Sequence, residues 1–434
     1  MQDQTSSVVS QSAPSSAPAA QAAASERSSG PLASPAPASA LPVQTSFAPA
    51  SSSTSKSGRP LRVIEVVHAF EPRIGGIETH VRELGLAFAR QNVEVVVHTA
   101  HAPGDKEVDA LLAGRGVRVK RHFAIQFPFF SSLVWMPGLP LFVALERGDM
   151  VCAHGFGALA PVCAAIGAKL SGRPFYWTIH GLPRFRGSFG RIALSLYSAL
   201  LAPIGLWASR KLIAVSEPVA AGLRERGVRK DIAVIPNGIS KQFLEFRKEE
   251  APLRPTSLFT VLFVGRLDRS KGVRSLARAF AAFHARHADS VLRFVGPDEG
   301  ERAWLESYAK ENRLPVQFEQ VPTLQMPGVY SSAAVTVLPS EYEGFGLCML
   351  ESWACGTPAL STAVGAAPGF VQTAFGPRAG EFLFRDEKEL DARLEAVHAA
   401  SAPERRLWAE RARRALSAYG WDEVAKKTLE TIRP

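Results

Sequence analysis

One stretch of the chain, residues 338–362, constrains the fold more than any other part of the sequence. An apolar run ends at Leu338, a polar turn follows at Ser340–Gly344, and a helical pattern covers Phe345–Ala354. A second short apolar run comes after Pro358. Strand, loop, helix and strand in this order predict one unit of a parallel α/β sheet. Such sheets bind ligands at the carboxyl ends of their strands, so the loop is the expected binding site.

Two glutamates of this stretch, Glu343 in the loop and Glu351 eight residues later, are predicted to face one pocket. At ~3.6 residues per turn, Glu351 is expected roughly two turns into the helix, on the side that faces the loop. Gly344, Gly346 and the start of the helix would expose backbone N–H groups to an anion. Carboxylates that bind hydroxyls beside amides that bind phosphate suit a sugar nucleotide. The spacing alone, however, favours a capped surface helix with two solvated glutamates.

The complete string is more specific than the spacing. It reads S-E-Y-E-G-F-G-L at residues 340–347, then Glu351, then A-C-G-T-P at residues 354–358. This string resembles the donor-site signature of the retaining GT-B glycosyltransferases of family four, the group 1 glycosyltransferases. The resemblance implies an α/β fold with two facing Rossmann-like, doubly wound domains and a C-terminal helix that returns to the first domain. It also implies that Glu343 contacts the donor sugar and Glu351 holds the ribose hydroxyls.

The chain is long enough for two or three domains and extends over 434 residues. The N-terminal segment is rich in Ser, Ala and Pro and is predicted to be disordered, whether it is functional or an over-extended translation start. The expected division is disordered residues 1–60, an acceptor-side domain at 61–236, a linker at 237–256, a nucleotide-sugar-binding domain at 257–412, and the returning helix at 413–434.

Two features of the predicted first domain point towards the cleft. Gly75 and Gly76 lie between an apolar run and an amphipathic helix, and they match neither a Walker loop nor G-x-G-x-x-G. A tight turn with a capped helix would also explain them, whereas the resemblance implies a loop that closes over the donor phosphates. His180 lies at the carboxyl end of a predicted strand, Phe175–Ile179, in the string T-x-H-G at residues 178–181. Such a histidine is often structural; the resemblance implies contact with the reacting sugar.

A basic loop in the second half is predicted to bind the leaving diphosphate. The sequence contains no D-x-D motif that would hold a metal ion, so fixed cations are the expected substitute, and no metal or cofactor is expected. Arg266 and Lys271 follow an apolar run and offer a guanidinium fork and an ammonium group. A solvated basic loop is the alternative, but G-R-L-x-x-x-K-G also matches the family's diphosphate loop. The base should lie near Gly296–Asp298 and Gln320–Val321; Gln320 replaces a usual glycine, which leaves UDP or GDP open.

The predicted function is therefore metal-independent sugar transfer from a nucleotide sugar with retention of the anomer. Glu343 is the nearest candidate nucleophile, although the resemblance implies a front-face reaction assisted by the leaving phosphate. The alternatives are a sugar-nucleotide epimerase of the same architecture and an inactive binding subunit. The predicted catalytic residues are His180, Arg266, Lys271 and Glu343, and the predicted donor-binding residues are Gly75, Gly76, Gly265, Arg266, Lys271, Gly296, Val321, Glu343, Gly344, Phe345, Gly346, Leu347 and Glu351.

Charge and apolar patterning suggest the partners and the compartment. The net charge of +10 favours anionic partners, but no Lys/Arg run or RNA-binding motif supports nucleic acid. Four cysteines without metal or redox spacing favour a reducing, cytoplasmic location. Phe123–Leu145 and Ile192–Trp207 are apolar and flanked by basic residues, so each is either core or a surface that docks on the inner face of the cell membrane. Docking would favour a lipid-linked or cell-surface glycan as acceptor.

Overall fold

The structure is a computed structural model that describes residues 59–73, 75–127, 133–183, 188–246 and 258–433. The segment predicted to be disordered lies outside these ranges except for Arg59 and Pro60. Part of the predicted linker, residues 247–256, also lies outside them.

The first half of the described chain forms a seven-stranded parallel sheet in the order β3-β2-β1-β6-β7-β8-β9, with a separate antiparallel pair, β4-β5. The central strands Met150–His154 and Phe175–Ile179 are fully buried and largely apolar, because helices cover both faces of a parallel sheet. The strands are β1 (Arg62–Val66), β2 (Glu94–Ala100), β3 (Val117–His122), β4 (Ile125–Gln126), β5 (Val134–Trp135), β6 (Met150–His154), β7 (Phe175–Ile179), β8 (Ser209–Ala214) and β9 (Ile232–Val234). The helices are α1 (Gly76–Arg90), α2 (Asp105–Ala113), α3 (Leu139–Leu145), α4 (Leu159–Leu170), α5 (Ser188–Leu196), α6 (Ala202–Ala208), α7 (Glu217–Glu225) and α8 (Lys241–Leu244).

The second half forms a six-stranded parallel sheet in the order β12-β11-β10-β13-β14-β15. Its strands are β10 (Phe259–Val264), β11 (Ser290–Val295), β12 (Val316–Glu319), β13 (Val335–Leu338), β14 (Ala359–Thr362) and β15 (Leu383–Phe384). The helices are α9 (Val273–His284), α10 (Arg302–Glu311), α11 (Met326–Ser331), α12 (Leu347–Ala354), α13 (Ala367–Phe375), α14 (Glu387–Ala399), α15 (Ala402–Leu416) and α16 (Trp421–Ile432). Two Rossmann-like α/β sheets confirm the predicted fold class.

The last helix returns to the first sheet, as the fold class requires. Trp421, Val424 and Leu429 of α16 are buried in one cluster with Val81 and Leu84 of α1. The returning helix begins at Trp421 rather than at residue 413, because a short 3₁₀ turn at Ser417–Tyr419 ends α15 and Gly420 is extended.

The apolar stretch at residues 192–207 is not one continuous α-helix. It is divided into the end of α5, a π-helical turn at Tyr197–Leu201, and α6. Ile192, Leu196, Leu200 and Trp207 are all more than half exposed, whereas Tyr197 and Ala202 are buried, so the stretch has one face on the surface and another in the core. No helix within the described ranges is both long and apolar enough to cross a membrane.

Candidate active site

The loop after β13 brings a lysine and a glutamate together at the carboxyl edge of the second sheet. The carboxylate of Glu343 accepts a hydrogen bond from the Lys271 ammonium at 2.6 Å and another from the Ser340 hydroxyl at 2.8 Å. Lys271 ends a 3₁₀ turn after β10, the strand hydrogen-bonded to β13. Sheet topology therefore joins two sites that are 72 residues apart in the chain.

The start of α12 lies beside this pair. Gly346 caps the helix with a left-handed backbone (φ 92°), which permits the sharp entry from the loop. The helix therefore begins at Leu347, not at Phe345 as its apolar pattern indicated. Its first N–H groups lie next to the carboxylate and ammonium of the loop, and the N-terminal end of a helix carries a positive potential.

Glu351 lies on the second turn of α12, about one turn closer to the helix start than expected. Its carboxyl group accepts a hydrogen bond from the Tyr330 hydroxyl of α11 at 2.7 Å. Burial is the larger influence and raises the pKa of Glu351 to about 7, despite this bond. Tyr330 was not found from the sequence, because no local pattern links it to Glu351.

Arg266 is held apart from the Lys271–Glu343 pair. Its side chain is half exposed and pairs with Glu299 at 2.6 Å and with Asp268 at 3.4 Å. Arg266 lies in the loop after β10, which contacts the loop after β11. This contact needs glycine, since a Cβ on Gly296 (φ 145°) would overlap the carbonyl oxygen of Gly265. Val321, predicted near the base, is half-buried after β12 and packs against the larger hydrophobic cluster of buried residues.

The glycine loop of the first sheet carries a buried acid that the sequence did not single out. Gly75 is the extended residue before α1, and Gly76 is the first residue of that helix. The Glu78 carboxylate folds back against Gly75 and lies 3.7 Å from the Arg73 guanidinium. Burial raises the pKa of Glu78, and the positive charges of Arg73 and, more weakly, Arg266 oppose that rise.

The two predicted site loops touch each other across the cleft. Gly344 packs against the carbonyl of His180 so closely that a Cβ would overlap it. The Leu182 amide donates to the Tyr342 hydroxyl at 2.6 Å, and the Ser216 hydroxyl donates to the Gly344 carbonyl at 2.6 Å. The structure thus brings together His180, Lys271, Glu343 and the start of α12.

His180 belongs to a buried polar cluster that sequence reasoning largely missed. His154 Nδ1 lies 3.1 Å from His180 Nε2, and His154 Nε2 lies 2.6 Å from a carboxylate oxygen of Glu65. His80 Nδ1 donates to the Asn237 side-chain oxygen at 2.8 Å, so Asn237 is a buried partner as well as a boundary residue. A charged residue inside the apolar run of β1 was the one sequence signal for this cluster.

Burial shifts the pKa of two of the site histidines, His80 and His180. It lowers the pKa of His80 to about 3 and that of His180 well below its usual range, with neighbouring histidines adding to the effect. Nitrogen atoms of His80, His154 and His180 lie within 4.8 Å of one another, a spacing at which one atom of each side chain could reach a common metal ion. His287, Asp289 and His398 form a second such group in the other half of the described chain.

Comparisons with known proteins agree with this architecture. Residues 74–243 match Glycosyltransferase Family 4, and residues 245–415 match Glycosyl transferases group 1. Glycogen synthase of Mycobacterium tuberculosis is 26% identical over 85% of this chain and 94% of its own length. D-inositol 3-phosphate glycosyltransferase 1 of Catenulispora acidiphila is 29% identical over 83% of this chain and 90% of its own length.

A solved structure supports the fold independently. The crystal structure of Anabaena Alr3699/HepE in complex with UDP-glucose superposes with a TM-score of 0.66, at 18% identity, over 86% of this chain and 99% of its own. At this identity the likeness concerns the fold alone. The family matches, the two Rossmann-like sheets and the matched relatives establish that this chain belongs to the GT-B group 1 glycosyltransferases of family four, which transfer a sugar from a nucleotide sugar.

Proposed function

We propose that this glycosyltransferase works without a metal ion and with retention of the anomer, on an acceptor presented at the cytoplasmic face of a membrane. The observation that carries the catalytic part is the convergence of Lys271, Glu343 and the start of α12 opposite His180. One cleft thereby offers a cation, a carboxylate, backbone amides and an imidazole to the donor.

The cations Lys271 and Arg266 would stabilise the departing diphosphate. Each is paired with a carboxylate in the structure, Lys271 with Glu343 and Arg266 with Glu299. A bound diphosphate would take part of these interactions, and the amides at the start of α12 would add to the positive potential. This arrangement supplies the charge stabilisation for which other enzymes use a metal ion.

The proposed reaction is a front-face displacement. The bond between the anomeric carbon and the phosphate oxygen breaks, and its electron pair leaves with the diphosphate. The acceptor oxygen bonds to the same face of that carbon, and its proton passes to a phosphate oxygen. Glu343 is already engaged by Lys271 and Ser340, which supports a role in orienting sugar hydroxyls rather than as a nucleophile.

Replacing the ammonium tests the metal-free mechanism. Lys271→Met should lower kcat/KM roughly 10- to 150-fold, the equivalent of losing a charged hydrogen bond of about 1.5–3 kcal/mol. Release of nucleoside diphosphate from a panel of nucleotide sugars measures the rate with and without EDTA. Lys310→Met, on the exposed end of α10, is the matched control.

Activity of the wild type should persist in EDTA. Abolition by EDTA with recovery in Mg²⁺ or Mn²⁺ would contradict metal independence. Analysis of the product anomer tests retention. The same panel separates the other functions, because an epimerase would convert the sugar without releasing diphosphate and an inactive subunit would bind without turnover.

An exposed apolar face supports the membrane-linked acceptor. This face, the α5–α6 face, consists of Ile192, Leu196, Leu200 and Trp207, whose side chains are 55–70% exposed. Residues 192–209 contain no charged side chain. Leu170 at the end of α4, 69% exposed, extends the apolar area. Apolar area of this kind on the surface of a folded domain is typical of a protein or membrane contact.

Cations beside the α5–α6 face favour an anionic bilayer. The Lys169 ammonium lies over the Trp207 ring at 4.4 Å, and Arg210 is exposed at the start of β8. Basic groups near an anionic surface contribute about 1 kcal/mol each. Arg184 and Arg186, two of the basic residues before this stretch, lie outside the described residues, as does the side chain of Arg191.

The other predicted docking stretch, Phe123–Leu145, has weaker electrostatic support. Its three flanking cations are ion-paired within the protein: Arg118 with Glu94, Lys120 with Glu146, and Arg121 with Asp109. Arg121 is also almost completely buried. These pairs leave little free charge for lipid, so the α5–α6 face is the preferred docking surface.

Liposome co-sedimentation tests the docking surface. We expect binding that rises with anionic lipid, falls with salt, and is lost when Leu196 and Leu200 are both changed to Glu. Leu324→Glu changes an 84% exposed leucine of the other half and should leave binding unchanged. A wild-type protein that stays in the supernatant at low salt would indicate a soluble acceptor.

A further inference from the structure

A buried chain of three side chains leads from inside the first sheet to the active-site histidine. Glu65 and His154 are each 1% exposed and lie on the adjacent parallel strands β1 and β6. Their contact measures 2.6 Å, and the next one, from His154 Nδ1 to His180 Nε2, measures 3.1 Å. His180 follows β7, the neighbour of β6, so the chain crosses three strands at one edge of the sheet.

The charge of this chain limits where its protons can be. Among the described residues, the ion-pair partner of Glu65 is His154. A net charge is costly to bury inside the sheet, so we expect the Glu65–His154 pair to be neutral overall. One ionisable proton then belongs to the pair and lies on either the carboxyl group or the imidazole. Either Glu65 is ionised and His154 protonated, or Glu65 is protonated and His154 neutral.

Both neutral arrangements have the same consequence for His180. Glu65 occupies His154 Nε2 in each case, so His154 Nδ1 carries a hydrogen and donates it to His180 Nε2. A neutral His180 must then carry its own hydrogen on Nδ1. This Nδ1 is buried and has no hydrogen-bond partner among the described residues. The His80 ring packs edge-on against the His180 ring, with 4.5 Å between the ring centroids, but its Nδ1 hydrogen is donated to Asn237.

We propose that Glu65 is a positioning residue that acts through His154 to hold His180 as the Nδ1–H tautomer, a hydrogen-bond donor for an oxygen of the donor sugar. The sugar contact rests on the function proposed above, whereas the tautomer follows from the chain alone. Without Glu65, His154 could carry its hydrogen on Nε2 and present a lone pair at Nδ1. His180 would then carry its hydrogen on Nε2 and donate it to His154.

Nitrogen NMR of the full-length protein labelled with ¹⁵N-histidine reads the tautomer directly, without substrate. We expect His180, assigned by comparison with His180→Asn, to show a protonated Nδ1 and an unprotonated Nε2. The opposite pattern in the wild type would overturn the proposal. Glu65→Leu should change the His180 pattern.

The chain offers a matched control for this substitution. Glu146 is a second carboxylate at the start of such a chain: its side chain is 8% exposed and lies 3.4 Å from His98 Nε2, and His98 Nδ1 lies 2.9 Å from His122 Nε2. It differs in having Lys120 as a further partner. Glu146→Leu should therefore leave the His180 signals unchanged. An equal effect of both substitutions would show that His180 responds to general loosening and would overturn the assignment to Glu65.

Binding and turnover separate positioning from structure. In Glu65→Leu, kcat should fall on the order of tenfold, the loss of about one neutral hydrogen bond, while the Kd of the free nucleoside diphosphate stays unchanged. If the wild type shows the expected tautomer and Glu65→Leu changes it, but kcat of Glu65→Leu equals that of the wild type, the contact between His180 and the sugar is overturned. If the wild type shows the tautomer but transfers no sugar, the proposed function fails and the tautomer stands. If Glu65→Leu does not fold, the wild-type spectrum still decides the tautomer.

Discussion

Glu351 is a single residue through which pH can act on the donor site. Its pKa is raised to about 7 because the carboxyl group is buried, and the Tyr330 hydroxyl only partly offsets this. The ionised form accepts hydrogen bonds at both oxygens, whereas the protonated form loses part of that capacity. If Glu351 holds the ribose hydroxyls, donor binding should weaken as pH falls through the pKa.

We expect the Kd of a nucleotide sugar to be about tenfold weaker at pH 6 than at pH 8, because a group with a pKa near 7 is mostly protonated at the lower value. A nucleotide sugar is the right probe, since each of its two phosphates carries one ester and one anhydride bond and does not titrate in this range. Isothermal titration calorimetry gives the Kd. Glu351→Gln should bind more weakly at pH 8 and show a flat profile. A wild-type profile as flat as that of the variant would argue against the ribose role.

At the scale of elements, the loop between β13 and α12 lies so close to the first domain that there is no room for a side chain at Gly344. Gly344 lies against the His180 carbonyl, while Tyr342 and the Gly344 carbonyl accept hydrogen bonds from Leu182 and Ser216. These contacts align the halves of the site. The loop can do this because glycine has no side chain to hold the two backbones apart.

Gly344→Ala should therefore block the approach without unfolding either domain. We expect kcat/KM to fall by two orders of magnitude or so, as for a misplacement of about 1 Å in a catalytic site, with a melting temperature close to that of the wild type. Gly369→Ala, where a Cβ meets nothing within 4 Å, is the control. Full activity of Gly344→Ala would mean that the two loops need not touch during catalysis.

The elements also show how far the sequence could lead. The strand Phe175–Ile179 was predicted with its observed bounds, because a strand buried on both faces is a continuous apolar run. Lys271, Glu343 and Glu351 were found because each lies in a local string. Glu65, His80 and His154 were not, because their proximity depends on strand order and register. The exposure of apolar residues within 192–207 could not be predicted either, since an apolar run does not show whether its side chains face the core or the solvent.

At the scale of the whole molecule, α16 ties the end of the chain to the first domain. Trp421 is 4% exposed, packs on Gly238 and meets the His80 ring edge-on at 5.2 Å. The helix thus supports the residues behind the histidine cluster from outside the sheet. Its contribution to stability should be large for so short a segment.

Trp421→Ala should destabilise the protein by about 3–5 kcal/mol, the usual cost of removing a buried aromatic side chain. Thermal unfolding followed by circular dichroism measures the loss. Trp207→Ala removes a tryptophan that is 70% exposed and should cost less than about 0.5 kcal/mol. Similar melting temperatures for the two variants would show that α16 is not needed to complete the first domain.

The return of α16 also sets the order in which the protein can be finished during synthesis. The apolar face of α1 that receives Val424 and Leu429 leaves the ribosome long before they are made. At typical translation rates the intervening ~340 residues take roughly 20–70 s. Throughout that interval the nascent first domain carries an uncovered hydrophobic groove, a ready target for chaperones, until α16 closes it.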